Sequence, residues 1–267
     1  PPQNLCRPMS DVIRFPKNES ICLIDADSLI YYEMGKPTLE EAIASLDKRI
    51  DHILEQCNTD KFSGFLTKGR CFRYAVAESY KNNRKGKPKP IIFYALEQHL
   101  RQVYHCISVS ELEADDLVSY YSHIEKRKTV ICSPDKDVLH QCVGMHYNYR
   151  TAEFLHTSNE DANRFLWKQT LMGDAVDGIP GLPGVGEKTA DNWLKGRTQD
   201  FESFTVKKYV EKFGMIEGIH KFYETFNLVY MLRTKEDIEK ATGLILPELE
   251  VHSLELEEIN PNQTELW

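Results

Sequence analysis

Four groups of acidic residues stand where strands or helices are predicted to begin or end. The segment LIDAD places Asp25 and Asp27 at the end of an apolar run, and SPDKD places Asp135 and Asp137 after another. The segments ELEADDL and MGDAVDG add Glu113, Asp115, Asp116, Asp174 and Asp177. In an open parallel sheet, ligands bind at the carboxyl ends of the strands. The spacing therefore predicts that up to nine carboxylates converge at one edge of a sheet.

Such a cluster needs cations, because carboxylates at short range raise one another's pKa. No comparable basic cluster adjoins these motifs in the sequence. Histidine-free, oxygen-rich sites suit hard ions such as Mg²⁺ or Mn²⁺, and two ions about 4 Å apart are a common arrangement for phosphoryl hydrolysis. Each acidic group alone could be a helix cap or a turn former. Four such groups together favour a metal site.

Two further segments carry residues suited to nucleic acid. The segment GIPGLPGVGEKTA is not a P-loop, because Glu187 separates Gly186 from Lys188. It is either a helix-hairpin-helix turn, whose backbone N–H groups approach a phosphate, or a plain tight turn. Between residues 72 and 90, basic and aromatic side chains alternate. That run is either a solvated charged face or a surface that stacks bases and holds phosphates.

An alternation of strand and helix patterns positions these segments. Strands are predicted at 21–25, 62–66, 106–110 and 129–133, with two more in MHYNYR and EFLHT. Helices are predicted from Thr38, where Thr38 and Glu41 form a capping box, across 92–103 and across 114–126. This order is typical of a parallel, doubly wound α/β sheet. Beyond about residue 158 the pattern becomes helical, at 159–171, 187–195, 203–213 and 216–232.

Charge and composition are those of an ordinary globular protein. The 267 residues carry a net charge of −8, but residues 241–267 hold six glutamates and no basic residue, whereas residues 81–90 hold five basic residues and no acid. The overall acidity therefore does not exclude a nucleic-acid partner. We expect no membrane span and no signal peptide, since no apolar run is long enough. Seven scattered cysteines without a CxxC predict reduced thiols in a cytosol-like compartment, with neither a disulfide framework nor a zinc knuckle.

Taken in order, the motifs resemble those of the 5′-nuclease superfamily. This superfamily comprises flap endonucleases, the 5′-exonuclease domain of bacterial DNA polymerase I and phage 5′→3′ exonucleases, and the short chain is most similar to the phage enzymes. The resemblance runs from Ile21 to Lys195 through LIDADSLIYY, CFRYAVAESYKNNR, ELEADDL, SPDKD and GDAVDGIPGLPGVGEKTA. It implies a PIN-like α/β fold, in which helices flank a central, mostly parallel sheet and a helical helix-hairpin-helix subdomain follows.

The resemblance also implies a domain organisation. Residues 1–20 would be an N-terminal extension, and residues 21–158 the α/β catalytic domain with a basic arch or gateway at 72–90. Residues 159–235 would form the helical DNA-binding subdomain with its Gly-rich hairpin at 173–190. Residues 236–267 would be an acidic tail.

Residue roles follow from the same resemblance. One metal ion would be held by Asp25, Glu113 and Asp115, and the other by Asp135, Asp137, Asp174 and Asp177, with Asp116 supporting both. Lys81 and Arg84 would be catalytic and reach the scissile phosphate. The implied DNA contacts are Arg73, Tyr80, Lys85, Gly181, Gly184, Gly186 and Lys188. The implied cofactors are two Mg²⁺ or Mn²⁺ ions, with K⁺ at the hairpin.

The implied activity is hydrolysis of DNA near a 5′ end, by a 5′→3′ exonuclease or flap endonuclease that serves replication or DNA processing. The substrate would be duplex or flapped DNA, or an RNA primer in an RNA–DNA hybrid. We expect a monomer in the cytoplasm, the host's if the chain is phage-encoded. One departure concerns the first metal: the family has a further Asp before the FR motif, whereas Thr67 stands here, with Asp27 near enough in sequence to compensate.

Two alternatives of other classes stay open at this point. A haloacid-dehalogenase-type phosphatase also has DxD after a strand and a later GDxxD, and uses its first Asp as a nucleophile. That reaction would leave EADD, SPDKD and the Gly-rich hairpin without roles. A non-catalytic, structure-specific DNA-binding module would be expected to lack carboxylates, whereas only one position departs here.

Overall fold

A mixed seven-stranded sheet forms the centre of the molecule. The computed structural model describes residues 7–8, 15–84, 86 and 88–254. The strands of the sheet are β1 (Arg7–Pro8), β2 (Ser20–Asp25), β3 (Lys61–Phe65), β6 (Lys128–Cys132), β7 (Gly144–Asn148), β8 (Glu153–Thr157) and β11 (His252–Ser253). Their order is β1-β8-β7-β6-β2-β3-β11. The four central strands, β7, β6, β2 and β3, are parallel, so their carboxyl ends meet at one edge.

Helices cover both faces of this sheet. On one face α1 (Ala26–Glu33), α2 (Leu39–Gln56) and α4 (Ile91–Gln102) bury apolar side chains such as Leu29, Leu46 and Leu96. On the other face lie α5 (Ala114–Ile124), α6 (Lys136–Gln141) and α11 (Lys235–Thr242), with Leu117, Val138 and Ile238 inward. The predicted α/β fold, with a mostly parallel sheet flanked by helices, is confirmed.

The remaining helices form a layer of their own. They are α7 (Asn159–Met172), α8 (Glu187–Leu194), α9 (Phe201–Phe213) and α10 (Met215–Val229). Their core is aromatic, with Trp167 stacked on Phe222 and Phe226, and Tyr209 beside Phe222. Between α7 and α8 the chain forms a small antiparallel hairpin of β9 (Gly173–Asp174) and β10 (Ile179–Pro180).

Short elements lie between β3 and α5 in the chain. The strand β4 (Lys68–Cys71) pairs with β5 (Ser110–Glu111), and α3 (Arg73–Val76) is followed by a 3₁₀ turn at Asn82–Arg84. We call residues 77–90, between α3 and α4, the strap. Among the described residues, no helix is long and apolar enough to cross a bilayer.

The structure corrects several expectations. The strand predicted at 106–110 is reduced to β5 and a single bridge between Phe65 and Ile107, because the backbone turns at His105 with φ of 51°. The helix α1 was not predicted, since it follows Asp25 without any intervening loop. Residues 236–254, assigned to an acidic tail, instead fold back: α11 packs on the sheet and β11 pairs with β3. Residues 255–267 lie outside the described residues.

Candidate active site

The ends of β2 and β6 bring two aspartates together. Asp25 ends β2 and caps α1, where its carboxylate accepts hydrogen bonds from the backbone N–H and hydroxyl of Ser28 at 3.3 and 2.6 Å. Ser133 follows β6 and donates to the same carboxylate at 2.8 Å, while its oxygen accepts the N–H of Asp135 at 3.0 Å. Asp135 in turn caps α6. Because β2 and β6 are parallel neighbours, Ser133 can link the two acidic segments.

The N-terminus of α5 supplies the third acidic group. Glu113 is the N-cap, and it accepts hydrogen bonds from Tyr80 at 2.8 Å, Lys81 at 2.5 Å and Arg73 at 3.1 Å. Asp115 belongs to the first turn of α5. Burial raises its pKa, and the nearby charges of Asp25, Asp135 and Glu113 raise it further. The first and third acidic groups therefore share one site.

Asp116 has a different environment from its neighbours. Both of its carboxylate oxygens accept hydrogen bonds from Arg73, at 2.6 and 2.7 Å, and one also accepts the N–H of Leu232. Arg73 is 4% exposed, and its remaining N–H groups bind the carbonyl oxygens of Leu228 and Tyr230. The Arg73–Asp116 pair thus ties α3, α5 and the end of α10 together.

The fourth acidic group stands on the β9–β10 hairpin and faces α6. Asp174 accepts a hydrogen bond from Lys136 at 2.9 Å and from the N–H of Val176 at 2.8 Å. Asp137, on α6, accepts from the side chain of Gln169 at 2.7 Å. A small pocket lies between these groups, lined by Lys81, Glu113, Asp115, Asp137, Asp174 and Asp177. Three of the four acidic groups therefore line one pocket, and Ser133 connects the remaining one, through Asp25, to Asp135.

The strap lies over the turn that follows Asp174. The N–H of Lys81 donates to the carbonyl oxygen of Asp177 at 2.8 Å, and Lys81 Nζ lies 3.5 Å from its carboxylate. Arg84 donates to the Asp177 carboxylate at 2.6 Å, and Asn83 to the carbonyl oxygen of Val176 at 2.8 Å. Both predicted catalytic cations therefore lie beside the carboxylates. Lys81 has a φ of 49°, a conformation that the surrounding contacts must hold.

Proton affinities differ sharply within the site. Burial and the charge of Asp27 raise the pKa of Asp25 to about 6. Burial and the charge of Asp135 raise the pKa of Asp137 to about 7. Burial also acts to raise the pKa of Glu113, but Lys81 and Arg73 overcome it and hold that pKa at about 2. Of these three carboxylates, Glu113 has the lowest proton affinity because two cations contact it directly.

Thr67 and Asp27 are in contact. The N–H of Thr67 donates to both carboxylate oxygens of Asp27, at 3.2 and 3.3 Å, and the Thr67 hydroxyl oxygen accepts the N–H of Ala114 at 3.0 Å. Thr67 therefore joins β3, α1 and the N-terminus of α5. The carboxylate of Asp27 therefore lies against the backbone of Thr67.

The glycines of the hairpin fall into two kinds. A Cβ on Gly181 would lie 2.2 Å from the carbonyl carbon of Met172, so this glycine is needed for the close approach of β10 to the end of α7. Gly184 and Gly186 are exposed, and a Cβ on either would meet nothing within 4 Å. Gly186 is the N-cap of α8, and Lys188 is exposed in its first turn.

Three predicted site residues do not fit their assigned roles. Asp116 is bound on both oxygens by Arg73, so it is unsuited to support metal ions. Arg73 and Tyr80 were predicted to contact DNA, but both are buried and bound to acidic residues of the site. Lys85 lies outside the described residues. The sequence showed a basic and aromatic run, but periodicity could not show which members turn inward.

Other residues of the site were not predicted. Ser133 connects Asp25 and Asp135, and the S-x-D-x-D pattern contained the signal for it. Lys136 stands between the aspartates of SPDKD and pairs with Asp174. Gln169 belongs to α7, and no sequence pattern indicated its contact with Asp137.

Comparison with known proteins agrees with this geometry. The family model described as 5′-3′ exonuclease, N-terminal resolvase-like domain, matches residues 20–166, more than half of the chain. The chain belongs to this 5′-3′ exonuclease family. The match spans β2 to α7, and therefore three of the four acidic groups. A dehalogenase-type phosphatase is not supported.

Individual relatives are similar over part of their length. The exodeoxyribonuclease of Enterobacteria phage T3 is 35% identical over 127 residues, which is 45% of this chain and 41% of that protein. The 5′-3′ exonuclease of Buchnera aphidicola is 29% identical over 201 residues, covering 65% of this chain and 69% of the relative. The chain thus matches less than half of the length of the phage T3 protein.

Solved structures share the fold at low sequence identity. The T5 D15 protein co-crystallised with metal ions superposes with a TM-score of 0.62 at 16% identity, over 84% of this chain and 97% of that one. The catalytic core of Rad2 in complex with DNA substrate gives a TM-score of 0.52 at 15% identity, over 92% and 83%. Both likenesses extend beyond the matched domain into the helical layer.

Proposed function

We propose that the chain is a metal-dependent 5′→3′ exonuclease or flap endonuclease that hydrolyses DNA phosphodiester bonds near a 5′ end. The convergence of acidic groups around Lys81, at the carboxyl edge of the sheet, is the observation that carries this proposal. Three groups line the pocket there, and Ser133 links Asp25 of the remaining group to Asp135. Membership of the 5′-3′ exonuclease family supports it, as do relatives named exodeoxyribonuclease and flap endonuclease. Duplex and flapped DNA, and an RNA strand in a hybrid, are the proposed substrates.

The donor set fits divalent metal ions. It consists of carboxylates, several with a raised pKa and too few cations nearby, which is what hard ions such as Mg²⁺ or Mn²⁺ require. One ion would be held by Asp25, Glu113 and Asp115, and the second by Asp135, Asp137, Asp174 and Asp177. Such ions activate water and stabilise charge on phosphate oxygens when bound. The T5 D15 protein crystallised with metal ions supports the assignment.

Two cations of the strap are placed to act on the substrate. Burial acts to lower the pKa of Lys81, but Glu113 and Asp177 raise it well above its usual value, so the ammonium stays charged. Arg84 is half exposed beside Asp177. We propose that both bind the scissile phosphate and stabilise the negative charge that develops on its oxygens.

The hairpin offers a separate contact for the duplex. The exposed backbone of Gly184 and Gly186 precedes the N-terminus of α8, where N–H groups and the helix dipole attract anions. Lys188 adds a positive charge in the same turn. We propose that this segment binds the phosphate backbone away from the reacting bond, and that a K⁺ ion bound at the segment takes part in this contact.

Digestion of one duplex labelled at its 5′ or 3′ end, with and without Mg²⁺, tests this function. We expect Mg²⁺-dependent release of the 5′ label first, leaving 5′-phosphate and 3′-hydroxyl ends. Asp115→Asn and Asp135→Asn are expected to abolish cleavage but to retain most of the DNA affinity, because the hairpin supplies phosphate contacts. Binding without cleavage by the wild type would favour the non-catalytic DNA-binding module, and wild-type rates in both variants would contradict the proposed site.

A further inference from the structure

Three cysteines from separate segments meet in the core. Cys22 lies on β2, Cys132 on β6, and Cys57 follows the last residue of α2 as its C-cap. Their sulfur atoms lie within 4.8 Å of one another, and the Sγ atoms of Cys57 and Cys132 are 3.8 Å apart. All three side chains are buried. We call these residues the thiol cluster.

Sheet register and a helix end fix this cluster. In the parallel pairing of β2 with β6, Cys22 stands opposite Val130 and Ile24 opposite Cys132. Cys22 and Cys132 are therefore two positions apart and face the same side of the sheet. The helix α2 covers that side, with Leu46, Ile50 and Ile53 inward, and its end brings Cys57 onto the two strand cysteines. The three sulfurs are thus held before any ligand arrives.

The spacing of the sulfurs suits a metal–thiolate centre. In a tetrahedral zinc site with Zn–S bonds of about 2.3 Å, neighbouring sulfurs lie about 3.8 Å apart. The contact of Cys57 with Cys132 has this separation. Soft thiolates prefer Zn²⁺ or Cu⁺ to Mg²⁺, so this cluster would not compete with the acidic edge for the same ion.

A second observation points to a polar ligand at this place. Tyr147 stands directly opposite Cys132 in the pairing of β6 with β7, and its buried hydroxyl has no hydrogen-bond partner among the described residues. A buried polar atom without a partner is costly in an apolar core. If the thiol cluster were only apolar packing, nothing there would offset the cost of burying the Tyr147 hydroxyl without a partner.

We propose that Cys22, Cys57 and Cys132 bind a structural zinc ion that ties β2, β6 and the end of α2 together. Zn²⁺ is favoured over Cu⁺ because three thiolates leave one net negative charge with Zn²⁺ and two with Cu⁺, and buried charge is costly. Binding would release the protons of the thiols, because thiolates are the metal ligands.

The test uses the full chain expressed in medium supplemented with zinc, cadmium or copper, and purified in excess Mg²⁺ under reducing conditions. Cadmium serves as a spectroscopic probe, because its thiolate charge-transfer absorption does not arise from carboxylate sites. Cys57→Ser removes one ligand, and Cys106→Ser is the matched control, since Cys106 is buried in the same apolar cluster but lies outside the thiol cluster. Circular dichroism checks that each variant is folded.

We expect one equivalent of tightly held zinc, a cadmium–thiolate band in the wild type and in Cys106→Ser, and loss of both signals in Cys57→Ser. Cys22→Ser is the second test if Cys57→Ser fails to fold. A wild type that folds without sulfur-bound metal would overturn the proposal and show that the cluster is apolar packing. A band that persists in both cluster variants, or binding of Cu⁺ but not Zn²⁺, would overturn it as well.

Discussion

Two carboxylates of the same site differ in pKa because cations are unevenly distributed between them. Glu113 is in contact with Lys81 and Arg73, and its pKa is held at about 2. Asp137 accepts one neutral hydrogen bond, and Lys136 is 3.8 Å away, so burial and Asp135 raise its pKa to about 7. The protein neutralises one end of the site with its own side chains. The raised pKa values of Asp25 and Asp137, one in each proposed metal site, show where the protein's own cations do not offset burial.

Arg73 illustrates how a residue expected at the DNA surface acts inside the protein. All five of its N–H donors are used, on Asp116, Glu113 and two carbonyl oxygens. Removing one partner of such a buried pair leaves an uncompensated charge, at a cost of roughly 3–5 kcal/mol. We therefore expect Arg73→Met to lower the free energy of unfolding by about that amount, as measured by urea denaturation.

Arg84→Met is the control for that measurement. Its ion pair with Asp177 is half exposed, and exposed pairs contribute at most about 1 kcal/mol. If Arg73 were instead a DNA contact, Arg73→Met would leave the unfolding free energy unchanged and reduce only the affinity for DNA.

The contact between Thr67 and Asp27 decides what an extra carboxylate would do. Thr67→Asp would place a second negative charge beside Asp27 and remove the hydroxyl that accepts the N–H of Ala114. Like charges at this distance raise each other's pKa. We expect the Mg²⁺ concentration for half-maximal cleavage to rise several-fold, with the cleavage position unchanged. Thr67→Ser should behave like the wild type, and a lowered Mg²⁺ requirement in Thr67→Asp would show that residue 67 can serve as a ligand.

At the scale of elements, the glycines between β10 and α8 differ in whether the fold requires them. Gly181 has no room for a Cβ, so Gly181→Ala must displace the end of α7 and lower stability. Gly186 has φ of −104° and open space around it, so its backbone does not require glycine. We expect Gly186→Ala to keep the wild-type melting temperature but to bind duplex DNA several-fold more weakly, because a methyl group would separate the N–H groups from the phosphate.

Fluorescence anisotropy with labelled duplex measures this affinity, and a thermal melt supplies the second readout. Gly181→Ala is the comparison, with both stability and affinity reduced. Equal DNA affinity in Gly186→Ala and the wild type would show that the exposed turn does not contact the phosphate backbone.

The elements that were predicted correctly are those whose signals are local. The Thr38 cap of α2, the apolar runs of β2 and β6, and the acidic groups at strand ends all depend on neighbours in sequence. The errors are long-range. The inward turn of Arg73 depends on Asp116 and on carbonyl oxygens at residues 228 and 230, and the thiol cluster depends on strand register. Such contacts leave no periodic trace in one sequence.

At the scale of the whole molecule, the segment that follows α10 folds back onto the sheet and α5. The pairing of β11 with β3 completes one edge of the sheet, and Tyr121 on α5 donates to the carbonyl oxygen of Pro247 at 3.1 Å. Leu246 is buried against the face that α5 covers. The segment after α10 therefore supports the same helix whose N-terminus presents Glu113 and Asp115.

The stability of the whole chain should depend on pH through His146. This residue is fully buried on β7, with Nε2 placed 2.8 Å from the carbonyl oxygen of Cys142, and burial lowers its pKa to about 4. The unfolded chain has a histidine pKa near 6.5. Between about pH 4 and pH 6.5 the unfolded chain therefore binds a proton at this residue, whereas the folded chain does not. The contribution of neutral His146 to the free energy of unfolding is therefore fully present above about pH 6.5 and is lost as the pH falls toward about 4.

The measurement is the difference in unfolding free energy between pH 7 and pH 4.5 for the wild type and His146→Gln, from urea denaturation. From the two pKa values, the wild type should lose about 2 kcal/mol more than the variant. Glutamine does not titrate, and its amide can still donate to the carbonyl oxygen of Cys142. The raised pKa values of Asp25 and Asp137 act in the opposite sense, because their contribution is lost as the pH rises, but they are common to both proteins and cancel in the difference. Equal losses in the two proteins would mean that His146 is protonated in the folded chain, or that the core opens to water before pH 4.5.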